Sequence, residues 1–459
     1  MKRISPRLLA LGFLFGAFAT TSVLAANAYA TPSHTANRTR QAAASPDQVI
    51  QWNQILLTIL QTPGEQPPTI HPTRSMAILH AAVYDAVNAI VKTHSDYLVH
   101  LNAPRHASVS AAAAQAAHDV LVQLYPNESV SLNADLATSL AGVPDGTAKD
   151  EGIAVGQAAA AKILALRSND GSSAAPATFT PGTAPGDYQL TPPAFVQPVY
   201  TSWRYVKPFA LRSASQFRPG PPPPLGSLAY TQAFDEVKSL GEADSTTRTP
   251  EETQIAKFWG APIQNYWNEI AQTVALQHGN TLPQNARLFA LLDLSLADSV
   301  IAFYDAKYTY NLWRPVTAIQ TEGKGAAAQI AADTATGQDP GESGADALAG
   351  LASDATWTPL VPTALDPSYP GAHAVVSAAG ADVLASFFHN DRDSFSVSSE
   401  VLPGVERSFT SFSAAADEAG LSRIYAGQHF RFDLVAGQRL GRQVADYVLQ
   451  HFLTPRAAG

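Results

Sequence analysis

The sequence predicts an all-α protein, a packed bundle of about ten or more helices. Apolar residues recur every three or four positions through several long segments, and other segments are rich in alanine, the strongest helix former. No stretch alternates apolar and polar residues over a convincing strand length. With 459 residues, 46 % hydrophobic and 15 % charged, the chain can bury a large core, which excludes a disordered protein.

The segments with a helical pattern are residues 49–60, 74–90, 111–124, 152–166, 230–240, 250–278, 286–310, 375–388 and 430–452. The start at Pro250 is well marked, because Thr249 would cap the helix and Glu252 would complete a capping box. Pro262 is expected to break this helix. Residues 323–350 are rich in Ala, Gly and Asp, and we predict a loop with short helical pieces there.

The composition changes between residues 172 and 225, where Pro, Gly, Ser and Thr are frequent. Proline at this density excludes a regular helix. A free linker is the alternative, but a flexible linker rarely contains so many aromatic residues. They are Tyr188, Phe195, Tyr200, Trp203, Tyr205, Phe209 and Phe217. We expect an ordered, extended segment wrapped on the surface. It would join an N-terminal helical part, residues 46–171, to a C-terminal helical part, residues 226–455.

The N-terminus has the pattern of an export signal. It is basic, with Lys2, Arg3 and Arg7. Residues 8–18 form an apolar run, which is short compared with the roughly 20 residues that span a membrane. We therefore predict a signal peptide over residues 1–30, cleaved near Ala25 or Ala30, and a mobile leader over 31–45. The mature protein would be periplasmic or extracellular, with no stable membrane span.

Charge and cysteine content exclude several classes of function. The formal net charge is −9, so a broadly basic nucleic-acid-binding surface is not expected. The chain has no cysteine, which excludes disulfides, thiol catalysis and cysteine-bound zinc. An acidic protein can still contain a small basic pocket.

The first segment that suggests chemistry contains two cations. Lys307 and Arg314 are seven positions apart, so on one helix they would share a face and could reach one anion. Pro315 is expected to end this helix and leave Arg314 at its terminus. Two solvated surface cations are the alternative. Trp313 and the apolar helix before it favour burial instead.

The second segment is a turn that leads into a helix. Pro370 and Gly371 form the turn, and an Ala-rich helix follows directly. His373 would lie in the first helical turn, where backbone N–H groups lack internal partners and attract anions. A histidine there can exchange a proton near neutral pH. A histidine that lies near a helix start without any function is an equally open reading.

The third segment combines an arginine, a histidine and a carboxylate. His429 and Asp433 are four positions apart and would share one helix face, so the carboxylate could hold one ring nitrogen and leave the other as a donor. Arg423 offers a planar fork for an oxyanion, and Gly427 lets the backbone bend. The alternative is an amphipathic helix with a chance His/Asp pair.

Taken in this order, the three segments resemble the signature of the phosphatidic-acid-phosphatase and vanadium-haloperoxidase superfamily. The sequence around Trp313–Arg314–Pro315 and over residues 422–433 is closer to vanadium-dependent haloperoxidases, in particular to the chloroperoxidase-like bacterial proteins. Residues 75–89 and 296–298 resemble the same branch, and the resemblance extends over roughly residues 47–452. It implies helical bundles of the acid phosphatase/vanadium haloperoxidase type.

The resemblance also implies a role for each matching residue. Vanadate, or phosphate in the same site, would be bound by Lys307, Arg314, Gly371, Ala372, His373, Arg423 and His429. His429 would bind the metal directly, His373 would act as acid and base, and the three cations would neutralise oxyanion charge. Asp433 would support His429. Of the buried carboxylates, Asp298 is our candidate for a partner of a site arginine.

Two positions depart from the family pattern. Gly371 stands where the family has a serine whose hydroxyl reaches the oxyanion. Asp366 stands where chloroperoxidases carry an aromatic residue near the halide, and a carboxylate there would repel halide.

Three functions follow. The first is a vanadium-dependent haloperoxidase that uses hydrogen peroxide to oxidise halide. The second is an acid phosphatase that cleaves phosphate esters through a phosphohistidine at His429, and the third is an exported oxyanion-binding protein with little turnover.

Overall fold

Helices make up most of the residues that the structure describes, and the predicted all-α class is confirmed. The computed structural model describes residues 46–321 and 353–456. In the first part of the chain the helices are α1 (Gln48–Gln61), α2 (Pro72–Val91), α3 (Val109–Leu124), α4 (Ser129–Ala141) and α5 (Thr147–Arg167). They continue with α6 (Leu228–Gly241), α7 (Pro250–Phe258), α8 (Ile263–His278), α9 (Leu282–Tyr310), α10 (Ala372–Phe388), α11 (Phe412–Tyr425) and α12 (Arg431–His451).

Most predicted helix positions agree with these bounds. At α7, the Thr249 hydroxyl accepts from the Glu252 N–H, and the Glu252 carboxylate accepts from the Thr249 N–H, so the predicted capping box is confirmed. The predicted break is confirmed as well, since α8 begins directly after Pro262. The predictions for residues 1–45 and 323–350 lie outside the described residues.

Among the elements that were not predicted from the sequence are α4, α11 and an antiparallel hairpin of β1 (Phe395–Ser398) and β2 (Glu406–Phe409). The strands pair from Phe395 with Phe409 to Ser398 with Glu406. Each has four residues, too few to show the alternation that marks a strand. Only two side chains of α4 are buried, so its apolar stripe is weak.

The central helix of the fold is α9. Nearly all its residues from Asn285 to Lys307 are buried, as expected for a helix surrounded by other helices. It packs against α2 on the N-terminal side of the chain and against α10 and α12 on the C-terminal side. The two helical parts therefore share one core, and the described residues, 46–321 and 353–456, belong to one compact unit. Within the described residues, no helix is both long and apolar enough to cross a membrane.

The Pro-rich segment is ordered and extended, as predicted. Parts of it are buried rather than superficial, with Tyr188 and Trp203 in the interior. The Tyr188 N–H donates to the Asn311 carbonyl at 2.6 Å, and the Trp313 N–H donates to the Gly186 carbonyl at 2.8 Å. These bonds fix the chain where it leaves α9, immediately before Arg314.

Asp298 does not have the role that we expected. Its two oxygens accept from the backbone N–H groups of Phe209, Ala210 and Leu211 at 2.6–2.7 Å. The side chain is fully buried, and burial raises its pKa. The expected pairing with a site arginine is therefore wrong. Asp298 instead satisfies three N–H groups of the extended segment, which would otherwise be buried without partners.

Glycines allow α12 to approach α10 closely. A Cβ atom on Gly437 would lie 2.8 Å from the Gly371 carbonyl, and one on Gly441 would lie 2.1 Å from the Val375 carbonyl. Both distances are shorter than van der Waals contact. The absent side chains thus set the position of the α10 N-terminus, which carries His373.

We expect Gly441→Ala to lower the free energy of unfolding by about 1–3 kcal/mol, because the added methyl group must push α10 away from α12. Urea unfolding followed by circular dichroism measures this. Gly420→Ala in α11 is the matched control, since its Cβ would meet atoms no nearer than 3.7 Å. Equal stability of the two variants would contradict this account of the packing.

Candidate active site

The five residues that the sequence singled out lie together in the C-terminal helical part. Four are almost completely buried, with side chains exposed by 5 % or less: Lys307, Arg314, Arg423 and His429. His373 is only partly buried, so the cluster is open to solvent at this residue. Arg314 Nη1 lies 3.1 Å from His429 Nε2, and Arg423 Nη1 lies 3.4 Å from His373 Nε2.

The two cations of the first segment meet in a different way from the one predicted. Lys307 lies in the last turn of α9, which ends at Tyr310 because Asn311 adopts a left-handed conformation (φ 48°). Arg314 therefore follows the helix rather than ending it. Pro315 begins a new helical stretch, residues 315–321, where a first-turn proline is well tolerated. The prediction that the two residues share a helix face is wrong, but both side chains still contact the same carboxylate oxygen, Asp366 Oδ1.

The third segment also differs from its prediction. Arg423 lies in the last turn of α11, the chain then turns at Gly427 (φ 75°), and His429 lies in the link before α12. Asp433 lies in the first turn of α12. His429 and Asp433 thus do not share a helix face. Glycine is required at the turn, because a Cβ there would lie 2.6 Å from the Gly241 carbonyl.

His429 is nevertheless held by Asp433. The carboxylate oxygen Oδ2 lies 3.0 Å from His429 Nδ1 and also accepts from the Ser368 hydroxyl at 2.5 Å and from the Phe430 N–H at 3.0 Å. Because a carboxylate accepts, Nδ1 carries the proton, and the lone pair of His429 is on Nε2, beside Arg314. Nε2 can therefore serve as a nucleophile or as a metal ligand once the bond from Arg314 gives way.

The electrostatics keep His429 neutral. Burial, followed by the charges of Arg314 and Lys307, holds its pKa well below the usual range. Burial raises the pKa of Asp433 to about 6, although the hydrogen bond from Ser368 opposes this shift. At neutral pH the pair is a neutral imidazole beside a carboxylate.

His373 lies in the first turn of α10, as predicted, with Gly371 at the N-cap. Its Nε2 donates to the Trp259 carbonyl at 2.9 Å, because a carbonyl can only accept. This tautomer leaves Nδ1 as the nitrogen that can take up a proton. Burial and the nearby Arg423 charge hold the His373 pKa well below its usual range, and an anion beside the ring would raise it.

Arg423 has unused hydrogen-bonding capacity. Its Nη1 donates to the Trp259 carbonyl at 2.9 Å, whereas its buried Nε has no hydrogen-bond partner among the described residues. Burial and the charge of Arg314 lower the pKa of Arg423 to about 10, so it stays protonated at neutral pH. A buried guanidinium with an unpaired donor is suited to an anionic ligand.

Lys307 and Arg314 share a carboxylate. Lys307 Nζ lies 3.3 Å from Asp366 Oδ1, and Arg314 Nη2 donates to the same oxygen. Burial alone would raise the pKa of Asp366, but the two cationic charges outweigh it and hold that pKa below its usual range. Burial lowers the pKa of Lys307 to about 8, although the Asp366 charge opposes this shift.

The two backbone candidates lie at the start of α10. The Gly371 N–H donates to the Asp433 carbonyl at 3.0 Å, so it is already paired. Ala372 is the first residue of the helix, where N–H groups have no acceptor inside the helix. A Cβ on Gly371 would approach no atom closer than 3.5 Å, so a larger residue fits at this position.

Sequence reasoning missed three residues of the site. Ser368 bonds to Asp433, the Trp259 carbonyl accepts from both His373 and Arg423, and the Gln428 carbonyl accepts from Arg314 at 2.8 Å. Ser368 adjoins the second predicted motif and Gln428 lies within the third, so closer attention to these positions could have found them. Trp259 acts through its carbonyl, which leaves no signal in the sequence.

Comparison with known proteins agrees with the fold. Residues 287–456 match the VCPO second helical-bundle domain. Vanadium chloroperoxidase of Curvularia inaequalis is 23 % identical over 292 residues, which cover 51 % of this chain and 45 % of that protein. The chain thus matches less than half of the length of this curated relative.

Solved structures cover more of the chain. The first bacterial vanadium-dependent iodoperoxidase is 26 % identical with a TM-score of 0.71, covering 89 % of this chain and 96 % of that one. A holo-type bacterial vanadium-dependent chloroperoxidase has a TM-score of 0.64 at 17 % identity, covering 89 % and 97 %, which shows a shared fold. The chain is therefore similar in fold to vanadium haloperoxidases, and residues 287–456 match their second helical-bundle domain.

We expect one lysine to titrate near pH 8, because burial destabilises the charged ammonium of Lys307. Nuclear magnetic resonance of protein with 13C-labelled lysine measures this, and Lys307→Met identifies the signal. Exposed lysines titrate near 10.4 and serve as the internal control. Asp366→Asn should lower the Lys307 value further, because the carboxylate favours the charged form. A Lys307 signal that titrates with the exposed lysines would contradict this description.

Proposed function

We propose that the chain is a vanadium-dependent haloperoxidase-like enzyme that binds vanadate and uses hydrogen peroxide to oxidise halide. The observation that carries this proposal is the environment of His429. Its Nε2 lone pair lies beside Arg314, and its Nδ1–H is held by Asp433. Lys307 and Arg423 add two further positive charges that act on the same ring. Such a site favours a ligand that combines a Lewis-acidic centre with anionic oxygens.

The described residues fit vanadate. Arg423 has a buried Nε without a partner, which an oxyanion oxygen would satisfy. His429 offers a neutral nitrogen as a ligand, and Asp433 fixes its orientation. Lys307, Arg314 and Arg423 would together offset the charge of the oxygens.

Each protein group would have a separate task in the reaction. When bound, vanadate would supply the Lewis acidity that activates hydrogen peroxide towards halide. His373 would take up or release a proton at Nδ1 while its Nε2–H remains on the Trp259 carbonyl. Arg423 would hold an oxygen through Nε, and its Nη1 bond to the same carbonyl keeps its position relative to His373.

Acid phosphatase activity is the second candidate, and Asp366 favours it. Its buried carboxylate accepts hydrogen bonds from Lys307 and Arg314. The negative charge of this carboxylate opposes the approach of halide. With a phosphate ester, His429 Nε2 would attack phosphorus and form a phosphohistidine. His373 would protonate the leaving alcohol, and water would then release phosphate.

Two further points belong to this proposal. A binding protein with little turnover is less well supported, because a binding site does not require two histidines held by separate hydrogen-bond acceptors. We also propose export from the cytoplasm, on the basis of the basic and apolar start of the chain.

We expect the purified protein to brominate a phenol-type dye only when orthovanadate and hydrogen peroxide are both present. His429→Ala should abolish this activity, because it removes the ligand nitrogen. His100→Ala is the matched control, since this histidine is exposed and bonds to Asp96. Bromination that survives in His429→Ala would contradict the proposal. Absent bromination together with vanadate-inhibited hydrolysis of an aryl phosphate would favour the phosphatase.

We expect Gly371→Ser to tighten oxyanion binding by about tenfold or more, because a hydrogen bond to a charged group contributes roughly 1.5–3 kcal/mol. The side chain fits without a clash. Isothermal titration calorimetry with orthovanadate and with inorganic phosphate measures the change. Gly371→Ala adds the Cβ atom without the hydroxyl and is the control. If the serine and alanine variants bind equally, the hydroxyl does not reach the anion.

A further inference from the structure

Lys307 has no donor left for an external anion. An ammonium group has three N–H donors. Within the chain they are directed to Asp366 Oδ1 at 3.3 Å, to the Pro367 carbonyl, and to the Ser368 carbonyl at 3.2 Å. All three acceptors belong to one short stretch of the chain, residues 366–368. An incoming oxyanion can gain a bond from Lys307 only if this stretch gives one up.

Arg314 is nearly as fully engaged. A guanidinium has five N–H donors. Nε donates to the Asp366 carbonyl at 2.7 Å, Nη1 donates to the Gln428 carbonyl and to His429 Nε2, and Nη2 donates to Asp366 Oδ1. At most one N–H group remains, on Nη2. The bond to His429 also occupies the lone pair that a ligand would use.

Asp366 is the common partner of both cations. Its side chain is buried, and a carboxylate is itself an oxyanion that uses the same donors as vanadate or phosphate. Arg423 differs, because no carboxylate pairs with it among the described residues and its Nε lacks an acceptor. The three cations therefore form two groups: Lys307 and Arg314 already share one carboxylate, and Arg423 is available.

We propose that Asp366 is an internal anion that competes with the external oxyanion for Lys307 and Arg314. Binding would begin at Arg423 and would be completed when Asp366 yields its bonds to the two other cations. A singly charged ligand only replaces the charge of the carboxylate, so the arrangement selects for ligands with more negative charge. This inference rests on the proposed oxyanion site and assigns Asp366 as its affinity- and specificity-determining residue.

The test is calorimetric titration of inorganic phosphate, and separately of orthovanadate, into the wild-type protein and Asp366→Asn at one fixed pH. Asparagine keeps the size of the side chain and removes its charge. The dissociation constant should fall at least about tenfold in the variant, equivalent to about 1.4 kcal/mol. Asp170→Asn is the matched control, because Asp170 is another buried carboxylate shared by two cations, Arg74 and Arg167. The Asp170→Asn variant should bind phosphate and orthovanadate with the same affinity as the wild type.

The outcomes separate this inference from the proposed function. Unchanged or weaker binding by Asp366→Asn, with measurable binding by the wild type, overturns the inference and leaves the oxyanion site intact. Weaker binding would mean that Asp366 positions the cations rather than competes for them. No binding by folded wild type or variant, for either anion, overturns the proposed function and the inference together.

A second variant covers the case in which Asp366→Asn does not fold. Asp366→Ala removes the carboxylate side chain and leaves a space that a small carboxylate ion can fill. Added formate should then weaken phosphate binding severalfold, because formate takes the position of the missing side chain. The wild type should show no such effect, since its own carboxylate is already there. Equal effects of formate on both proteins would overturn the inference.

Discussion

The burial of three positive charges in one place is the constraint on which this site depends. Lys307, Arg314 and Arg423 are almost inaccessible to water, and an unpaired buried charge costs several kcal/mol. The surrounding chain therefore supplies acceptors: the carbonyls of residues 366–368 and of Gln428 and Trp259. Carbonyl groups inside a helix are already paired, whereas those of extended segments are free to accept from the cations. Extended segments, rather than helix faces, therefore form the walls of the site.

The same charges determine the chemistry of the histidines. They hold the pKa values of His373 and His429 well below the usual range, so both rings are neutral and each has one unprotonated nitrogen. Asp433 and the Trp259 carbonyl decide which nitrogen that is. An anion that enters the site would reverse this effect, because it offsets the cations and makes a protonated His373 more favourable. Anion binding and the protonation of His373 are therefore coupled.

Much of the fold and the residues of the candidate site could be predicted, because both leave local patterns in the sequence. Apolar spacing marks α9, and Pro370 to His373 mark the start of α10. The way in which the residues meet could not be predicted. The Lys307–Asp366 pair spans 59 residues, and the actual partners of Asp298 lie 87–89 residues away. His429 leaves the predicted helix because Gly427 turns the chain, which spacing alone does not reveal.

The central claim is that this cluster binds a tetrahedral oxyanion through His429. The most direct test is a crystal structure of the protein soaked in orthovanadate, in which anomalous scattering locates vanadium. We expect one vanadium within bonding distance of His429 Nε2, with its oxygens on Arg423, Lys307 and Arg314. Vanadium at another place, or none at a concentration that saturates related enzymes, would contradict it.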